Sequence, residues 1–499
     1  MKKLWETVDR SIFFIGATIC LSFVIWTVLT GASTETVFNG VQSFFSVHFG
    51  WFYLTAVSFF IAFLMWLALG KYGHVRLGKD DEKPQYSLMS WFAMLFAAGM
   101  GIGLVFWSVA EPMSHYLSPA FLEGRTTAAA SEAMRASFTH WGIHPWAIYG
   151  MFGLPLAYFQ FRKNKPALVS SCLESLIGEK QVNGVIGKTV DIVVVIATVF
   201  GVATSLGLGS MQINSGLHYI FGIPYSNNIM LFIIVGATVL FILSSVSGID
   251  RGIKVISDTN MVLMIVLLGF IFLCGAKIFV ANFFVDSVGK YLSSLVSVSF
   301  WTDPFKESNG WLSAWTVFYW AWWMSWGPFV GGFIARISRG RTIREFVIGT
   351  MLVPSLFCCI FMCVMGGNAI YWDMQGVTGI ADALNENVSY ALFAMLEQFP
   401  FTKLVSALFV ILLLIFFISS ADSSTFVCSS MTSKGIQNPS GSVKVIWGVF
   451  EGIVAVILLY SGGLSAVQSV SVTIGFPLMI LCLFIAASLI RSLREESKD

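Results

Sequence analysis

The sequence predicts an all-α polytopic membrane protein with twelve transmembrane helices. Three observations lead to this fold class. The chain is 56% hydrophobic, only 11% of its 499 residues are charged, and apolar runs long enough to cross a bilayer recur along its whole length. A soluble protein would carry roughly a quarter charged residues. The predicted spans are 11–33, 51–71, 89–112, 141–161, 187–210, 228–246, 257–281, 311–335, 344–366, 404–427, 443–461 and 464–490.

The distribution of lysine and arginine orients these spans. With the N-terminus inside, 23 of the 29 basic residues fall in the inner segments and only six fall in the outer segments. Because basic residues collect on the cytoplasmic side of a membrane, we expect a multi-pass protein of the cell membrane with both termini in the cytoplasm. Membrane lipid is then a partner. The net charge of +2 does not indicate a nucleic-acid partner.

Two of the predicted spans carry interruptions. The third span holds three alternating glycines within residues 99–103, which cost a helix about 1 kcal/mol each relative to alanine. The eighth span contains Gly327 and Pro328, and because proline has no N–H, the carbonyl of Met324 would lose its helical partner. Broken helices at corresponding places in two halves mark the central site of a transporter. Since the two lie five spans apart, spans 3–7 and 8–12 are predicted to be inverted repeats.

Aromatic residues cluster in two of the spans. In the eighth span they recur at spacings of three and four, which places them on one helix face: Trp315, Tyr319, Trp322, Trp323 and Trp326. The fourth span opens with a second cluster, Trp141, Trp146 and Tyr149. Alone, that cluster would indicate an aromatic belt at the membrane interface. Together, the two clusters indicate a box of π faces for a cation, above all a quaternary ammonium group, which cannot donate an N–H hydrogen bond. His140 and His144 are interpreted as interface residues.

Polar residues in the tenth span indicate a cation site. Ser419 and Ser420 lie in an apolar run, and hydroxyl and carbonyl oxygens suit Na⁺. The alternative is hydrogen bonding back to the helix carbonyls. Asp422 is an ionisable group inside the same run, and a structural contact to a neighbouring helix is at least as plausible for it as ion binding. The arginines of residues 336–344 either anchor the inner end of the eighth span or take part in a gate.

The segments 97–112, 140–149 and 315–346 resemble the betaine/choline/carnitine transporter family, and the resemblance covers essentially the whole chain. It implies a leucine-transporter-like core of two inverted five-helix repeats preceded by two N-terminal helices. It also implies a homotrimer that transports zwitterionic quaternary ammonium compounds. The expected parts are the two extra helices in 1–88, the first repeat in 89–281, an outer amphipathic helix and linker in 282–310, the second repeat in 311–490 and a short cytoplasmic tail in 491–499.

The resemblance also implies which residues form the site. The box around the trimethylammonium group would consist of Trp141, Trp146, Tyr149 and Trp323, with Trp322 and Trp326 beside it on the pathway. The substrate carboxylate would meet the backbone of Gly99, Met100, Gly101 and Gly103. One Na⁺ would be bound by the carbonyls of Ala97, Met100 and Phe416 and the hydroxyls of Ser419 and Ser420. A second Na⁺ would be bound by Thr198 and Phe329, although Val202 stands where a further hydroxyl would be expected.

Three positions separate the branches of the family. Sodium-independent carnitine exchangers carry Arg and Met where this chain has Asn260 and Val330, and choline transporters tend to carry Asp at Gly103. The sequence therefore predicts import of glycine betaine or a similar zwitterion with Na⁺ as the coupling ion, and no other cofactor. The alternative is a sodium-independent exchanger of carnitine, choline or another methylated amine. An enzyme is not expected, because no constellation of histidines and carboxylates is evident within the spans.

Overall fold

The computed structural model describes residues 7–31, 33–99, 101–247, 250–436 and 438–496, with the backbone alone at 96–99, 247, 250–258, 464 and 467. Helices are the regular elements of these residues, and an isolated antiparallel bridge joins Arg76 to Thr342. The longer helices are α1 Arg10–Thr30, α2 Ser33–Leu69, α3 Leu88–Gly99, α4 Ile102–Leu117, α5 Thr127–Trp141, α6 Ile143–Ala157, α7 Val185–Phe221, α8 Asn227–Ser247, α9 Asp250–Cys274, α10 Lys277–Phe300, α11 Phe318–Ile337, α12 Ile343–Met374, α13 Gly379–Glu386, α14 Ala391–Leu396, α15 Thr402–Met431, α16 Gly441–Tyr460 and α17 Leu464–Glu496.

These helices confirm the prediction of an all-α polytopic membrane protein. Eight helices of the described ranges are long and apolar enough to cross a membrane, and a ninth crossing is added if α9 and α10 are taken as one bent span. Segment Thr259–Cys274 and α10 meet at 109°. The helix expected within 282–310 therefore begins earlier, at Lys277, directly after a sharp turn. The count of twelve spans and the division into two repeats stay predictions.

The interruption predicted in the third span is present. Helix α3 ends at Gly99 and α4 begins at Ile102, while Gly101 between them has an extended backbone with φ −150° and ψ −168°. This break leaves backbone groups of the segment outside a regular helix, which membrane proteins tolerate where the segment is buried in protein or lines a cavity.

The prediction that Gly327 and Pro328 interrupt the helix is wrong. Helix α11 runs through both residues, and the irregular turn is instead a π-helix at Ser313–Val317, just before α11. A Cβ added at Gly327 would come within 2.4 Å of the Phe152 ring. This glycine therefore allows α11 to pack closely on α6, and neighbouring helices let a proline stay inside a membrane helix.

Helix α5 was not predicted from the sequence. Its segment is rich in alanine, the best helix former, and the Thr126 hydroxyl caps it by accepting a hydrogen bond from the Ala129 N–H at 3.1 Å. Gly142 separates α5 from α6, and a Cβ there would lie 2.7 Å from the Tyr291 hydroxyl. The consequence is that Trp141 is the last residue of one helix and Trp146 belongs to the next.

Arg162 joins the last turn of α17 to the loop that follows α2. Arg162 binds the carboxylate of Glu496 in α17, and its Nη1 donates to the Gly78 carbonyl at 2.9 Å and to Asp80 at 2.8 Å. We expect Arg162→Gln to lower the free energy of unfolding by about 1–2 kcal/mol, because a charged donor loses several acceptors. Thermal unfolding of the purified protein measures this.

The matched control for that variant is Arg491→Gln. Arg491 pairs with Glu495 on the same helix, but both side chains are more than half exposed. An exposed pair one turn apart contributes about 0.3–0.5 kcal/mol. Equal shifts in the melting temperature for the two variants would show that the Arg162 network does not hold α17 in place.

Candidate functional site

The structure brings the four predicted box residues together. The ring centroids of Trp141 and Trp323 lie 4.8 Å apart with planes at 77°, and those of Tyr149 and Trp323 lie 6.1 Å apart at 79°. Trp146 packs edge-on against Tyr149 at 5.5 Å. None of the four is more than 5% exposed. Helices α5, α6 and α11 thus contribute rings to one closed aromatic cluster, here called the aromatic box.

Two further predicted tryptophans border the aromatic box. Trp322 stacks on Trp323 with centroids 4.8 Å apart and planes at 16°. Trp326 lies one turn further along α11, where its Nε1 donates to the carbonyl of Gly201 in α7 at 2.8 Å. Its ring also packs against Phe329 at 5.3 Å. The row of rings therefore continues along α11 towards α7.

The break between α3 and α4 lies directly against these rings. A Cβ built on Gly103 would be 2.5 Å from Cη2 of Trp322 and 3.5 Å from Cη2 of Trp141. A Cβ on Gly101 would be 3.9 Å from Trp326 and 3.9 Å from the Ser420 hydroxyl. At Gly103 only glycine lets the backbone approach the Trp322 ring this closely, whereas the distances at Gly101 are ordinary contacts. Gly99 ends α3, and Met100 lies outside the described residues.

The proposed ligands of the first Na⁺ are described in part. The hydroxyl of Ser419 donates to the carbonyl of Phe416 at 3.3 Å, while Ser420 lies near Gly101. Both serines are half-buried. Of Ala97 the backbone is described, whereas Met100 is not. The approach of α15 to the broken helix agrees with a site between them, but the complete set of ligands stays a prediction.

The residues proposed as ligands of a second Na⁺ contact other groups of the protein. The Thr198 hydroxyl donates to the Val194 carbonyl in its own helix at 2.9 Å. Phe329 is buried against Trp326. Val202 is buried and offers no side-chain oxygen. The second site stays a prediction.

Two charged groups show structural contacts. Asp422 in α15 accepts a hydrogen bond from Ser244 in α8 at 3.3 Å, a contact between neighbouring helices. Arg341 lies over the Trp91 ring at 4.4 Å and donates to the Tyr86 carbonyl at 2.8 Å. The first contact joins two helices, the second holds the segment after α11 to the start of α3, and a gating role for either group stays a prediction.

Sequence reasoning missed the polar centre of the site. Glu111 in α4 is fully buried, and its Oε2 accepts hydrogen bonds from Trp141 Nε1 at 2.7 Å and from the Tyr319 hydroxyl at 2.5 Å. Its Oε1 lies 2.6 Å from His140 Nδ1 and 3.4 Å from His115 Nε2. The statement that the spans lack a constellation of histidines and carboxylates is therefore wrong. The available signal was Glu111 itself, an ionisable residue in an apolar run.

The interpretation of His140 and His144 as interface residues is also wrong. Both side chains are fully buried. His144 stacks on Trp320 with centroids 4.9 Å apart and planes at 15°, and its Nε2 lies 2.8 Å from the Ser299 hydroxyl. The backbone carbonyl of His140 accepts from Trp323 Nε1 at 3.1 Å. His140 is thus part of the frame of the aromatic box.

This arrangement of a glycine break and an aromatic box agrees with the match of the chain to a family model. The model for betaine/carnitine/choline family transporters matches residues 11–498. The chain belongs to this family. Its members are transporters and not enzymes, so the buried histidines and Glu111 serve a transport protein.

Three relatives in the betaine/carnitine/choline transporter family illustrate its range. The glycine betaine transporter OpuD of Bacillus subtilis is 46% identical over 491 residues, which cover 98% of this chain and 95% of the relative. A probable glycine betaine transporter of Desulfitobacterium hafniense is 43% identical over 491 residues, covering 98% of each chain. An ectoine/hydroxyectoine transporter of Virgibacillus pantothenticus is 40% identical over 500 residues, covering 99% of this chain and 98% of the relative.

Proposed function

We propose that this protein imports glycine betaine, or a similar quaternary ammonium zwitterion, together with Na⁺ by alternating access. The observation that carries the proposal is the contact between the aromatic box and the backbone of residues 101–103 at the helix break. A short zwitterion needs both surfaces. Its ammonium group suits the faces of the rings, and its carboxylate suits backbone N–H groups at a helix break.

The hydrogen-bonding state of the rings supports a ligand without N–H donors. Trp141 Nε1 and Trp323 Nε1 already donate to Glu111 and to the His140 carbonyl. Within the described residues, the Tyr149 hydroxyl and Trp322 Nε1 are buried without a hydrogen-bond partner. Unpaired buried donors are costly, so the site favours a ligand that accepts hydrogen bonds, such as one with a carboxylate.

Alternating access is supported by the burial of the site. Because the four box residues are at most 5% exposed, a substrate can enter or leave only if helices around the site move. Transporters with broken helices achieve this by rocking one repeat against the other around a central site. We extend the proposal to two inverted repeats, a homotrimer and a cell-membrane location with both termini in the cytoplasm.

Sodium coupling is supported by the approach of Ser420 to Gly101. An ion there would tie α15 to the broken helix that offers backbone to the substrate. The second candidate is a sodium-independent exchanger of carnitine, choline or another methylated amine. In such exchangers an arginine is expected at Asn260, whose buried side-chain oxygen is without a partner among the described residues.

Uptake into proteoliposomes tests the proposed function. Labelled glycine betaine should accumulate under an inward Na⁺ gradient, and unlabelled choline, carnitine and ectoine serve as competitors. Accumulation that needs substrate inside the vesicles and ignores Na⁺ would favour the exchanger. Faster uptake of ectoine than of betaine would contradict the proposal of a quaternary ammonium substrate, because ectoine carries N–H donors.

Gly103→Asp tests the assignment of a zwitterion as the substrate. The new side chain must displace the Trp322 ring, which lies 2.5 Å from the added Cβ, and its carboxylate would pair with a cation that lacks one of its own. We expect the ratio of choline uptake to betaine uptake to rise at least about tenfold, the effect of one charge-assisted pair.

The control for that variant is Gly103→Asn, which has nearly the same shape and no charge. It should weaken betaine uptake without favouring choline. An equal gain in choline uptake by the two variants would mean that space, and not charge, sets the selectivity at this position.

A further inference from the structure

The carboxylate of Glu111 holds two aromatic rings at once. Its Oε2 accepts from Trp141 Nε1 and from the Tyr319 hydroxyl, at 2.7 and 2.5 Å. The Trp141 ring meets Trp323 edge-on at 4.8 Å, and the Tyr319 ring lies nearly parallel to Trp323 at 5.9 Å. One buried oxygen atom therefore fixes two rings that surround Trp323.

The hydrogen bonds of the two histidines beside Glu111 are compatible with neutral rings. Trp311 Nε1 can only donate, and it lies 3.1 Å from His115 Nδ1, so this nitrogen carries no proton. His115 Nε2 then holds the single proton of the ring and faces Glu111. His140 Nε2 lies 2.9 Å from the Thr316 hydroxyl, which can donate to it while Nδ1 donates to Glu111.

With both rings neutral, Glu111 has hydrogen-bond donors around it but no formal positive charge among the described residues. In the described part of the chain its ion-pair partners are these two imidazoles. The nearby Arg135 is paired with Glu132, its Nε donating at 2.8 Å. A buried carboxylate without a counter-charge is costly, which makes the site favourable for a cation.

A bound metal ion explains the cluster of Glu111, His115 and His140 less well than hydrogen bonding to the carboxylate does. The ligand atoms of Glu111, His115 and His140 lie within 4.8 Å of one another, which suits a metal in size. However, His140 Nδ1 is only 2.6 Å from Oε1, a hydrogen-bond distance. Two ligands of a tetrahedral zinc ion would be roughly 3.3 Å apart.

We propose that Glu111 is a specificity-determining residue that supplies a fixed negative charge behind the aromatic box. The quaternary ammonium group of the substrate is its counter-charge. The carboxylate also polarises the Trp141 N–H and the Tyr319 O–H, which makes the ring faces more attractive to a cation. This inference rests on the proposed function, because it takes a quaternary ammonium zwitterion as the substrate.

A neutral isostere of the substrate separates charge from shape. In 3,3-dimethylbutanoate a carbon atom replaces the nitrogen of glycine betaine, so the two have the same outline and only betaine has a cationic head. Glu111→Gln keeps an oxygen that can accept from Trp141 and Tyr319 but removes the charge. Inhibition constants of both compounds against labelled betaine uptake, and their affinities for the purified protein, are measured in the wild type and in the variant.

We expect the preference for betaine over 3,3-dimethylbutanoate to fall about tenfold in Glu111→Gln. That is the effect of one unit charge about 10 Å away at an effective dielectric constant of about 20. Glu132→Gln is the control, since it removes a carboxylate that is 40% exposed and paired with Arg135. The preference should be unchanged in that variant.

The outcomes are distinct. Equal weakening of both compounds in Glu111→Gln would overturn the electrostatic role and leave Glu111 as a support of the rings. If the wild type does not bind betaine, the proposed function fails, whatever the variant shows. Should Glu111→Gln not accumulate, His115→Arg provides a second test, because His115 Nε2 lies 3.4 Å from Glu111 Oε1 and a charged side chain at this position would stand next to the carboxylate. The guanidinium would neutralise Glu111 and lower the preference, and an unchanged preference would contradict the inference.

Discussion

Trp323→Ala is expected to raise the KM for glycine betaine about thirtyfold while the protein still reaches the membrane. Trp323 contacts the rings of Trp141 and Tyr149 within the aromatic box and stacks on Trp322 beside it, so it joins the rings that α5 and α6 contribute. A desolvated cation–π contact contributes about 2 kcal/mol, which corresponds to the expected change. Initial rates of labelled betaine uptake in proteoliposomes measure it.

Two substitutions control for that prediction. Trp323→Phe keeps a π face and loses the hydrogen bond to the His140 carbonyl, so we expect a KM between those of the wild type and the alanine variant. Trp447→Phe changes an equally buried tryptophan in α16, which packs against Phe13 at 5.7 Å and away from the box. Its KM should match the wild type. A KM for Trp323→Ala within about twofold of the wild type would show that the ammonium group does not bind against Trp323.

The elements of the fold that the sequence predicts are those set by local chemistry. Apolar run lengths follow from the thickness of the bilayer, and alternating glycines at 99–103 weaken a helix whatever surrounds them. Gly327 shows the opposite case. Whether a glycine breaks a helix or lets another helix approach depends on its neighbour, here Phe152. That neighbour is far away in the sequence, and no local pattern identifies it.

The same distinction applies to the candidate site. The aromatic box could be predicted because its rings belong to two clusters, each visible within a single span, and because the resemblance to a family indicated which rings face each other. Glu111 was missed because its partners His140 and Tyr319 are 29 and 208 residues away. The sequence shows that a carboxylate lies in an apolar run, but the hydrogen bonds that make the charge tolerable exist only in the folded chain.

The residues around Trp141 illustrate why helix boundaries matter for function. A continuous fourth span from 141 would put Trp141, Trp146 and Tyr149 on a single helix. The structure ends α5 at Trp141 and starts α6 at Ile143, with Gly142 between them. On the two sides of this break, Trp141 reaches Glu111 and Tyr149 reaches Trp323. Gly142 also packs tightly against Tyr291 of α10, a neighbour that is again remote in sequence.

Replacing Ser419 and Ser420 together by alanine is expected to abolish the stimulation of betaine uptake at the Na⁺ concentrations that stimulate the wild type. Both hydroxyls lie on the part of α15 that approaches the break in the third span, and Ser420 is close to Gly101. Without them an ion would keep only carbonyl ligands, and we expect the Na⁺ concentration for half-maximal uptake to rise more than about tenfold, the effect of about 1.4 kcal/mol. Uptake is measured over a range of Na⁺ concentrations at saturating betaine.

The best control for the serine pair lies one turn further along the same helix. The hydroxyls of Ser423 and Ser424 donate to the carbonyls of Ser419 and Ala421 at 2.8 and 2.9 Å, so they are used within α15 itself. Replacing this second pair by alanine removes as many oxygen atoms from the same helix, and the response to Na⁺ should stay that of the wild type. If instead both double variants keep full Na⁺ dependence, the coupling ion binds elsewhere. If both lose it equally, the loss comes from disturbing α15, because only a specific site distinguishes hydroxyls one turn apart.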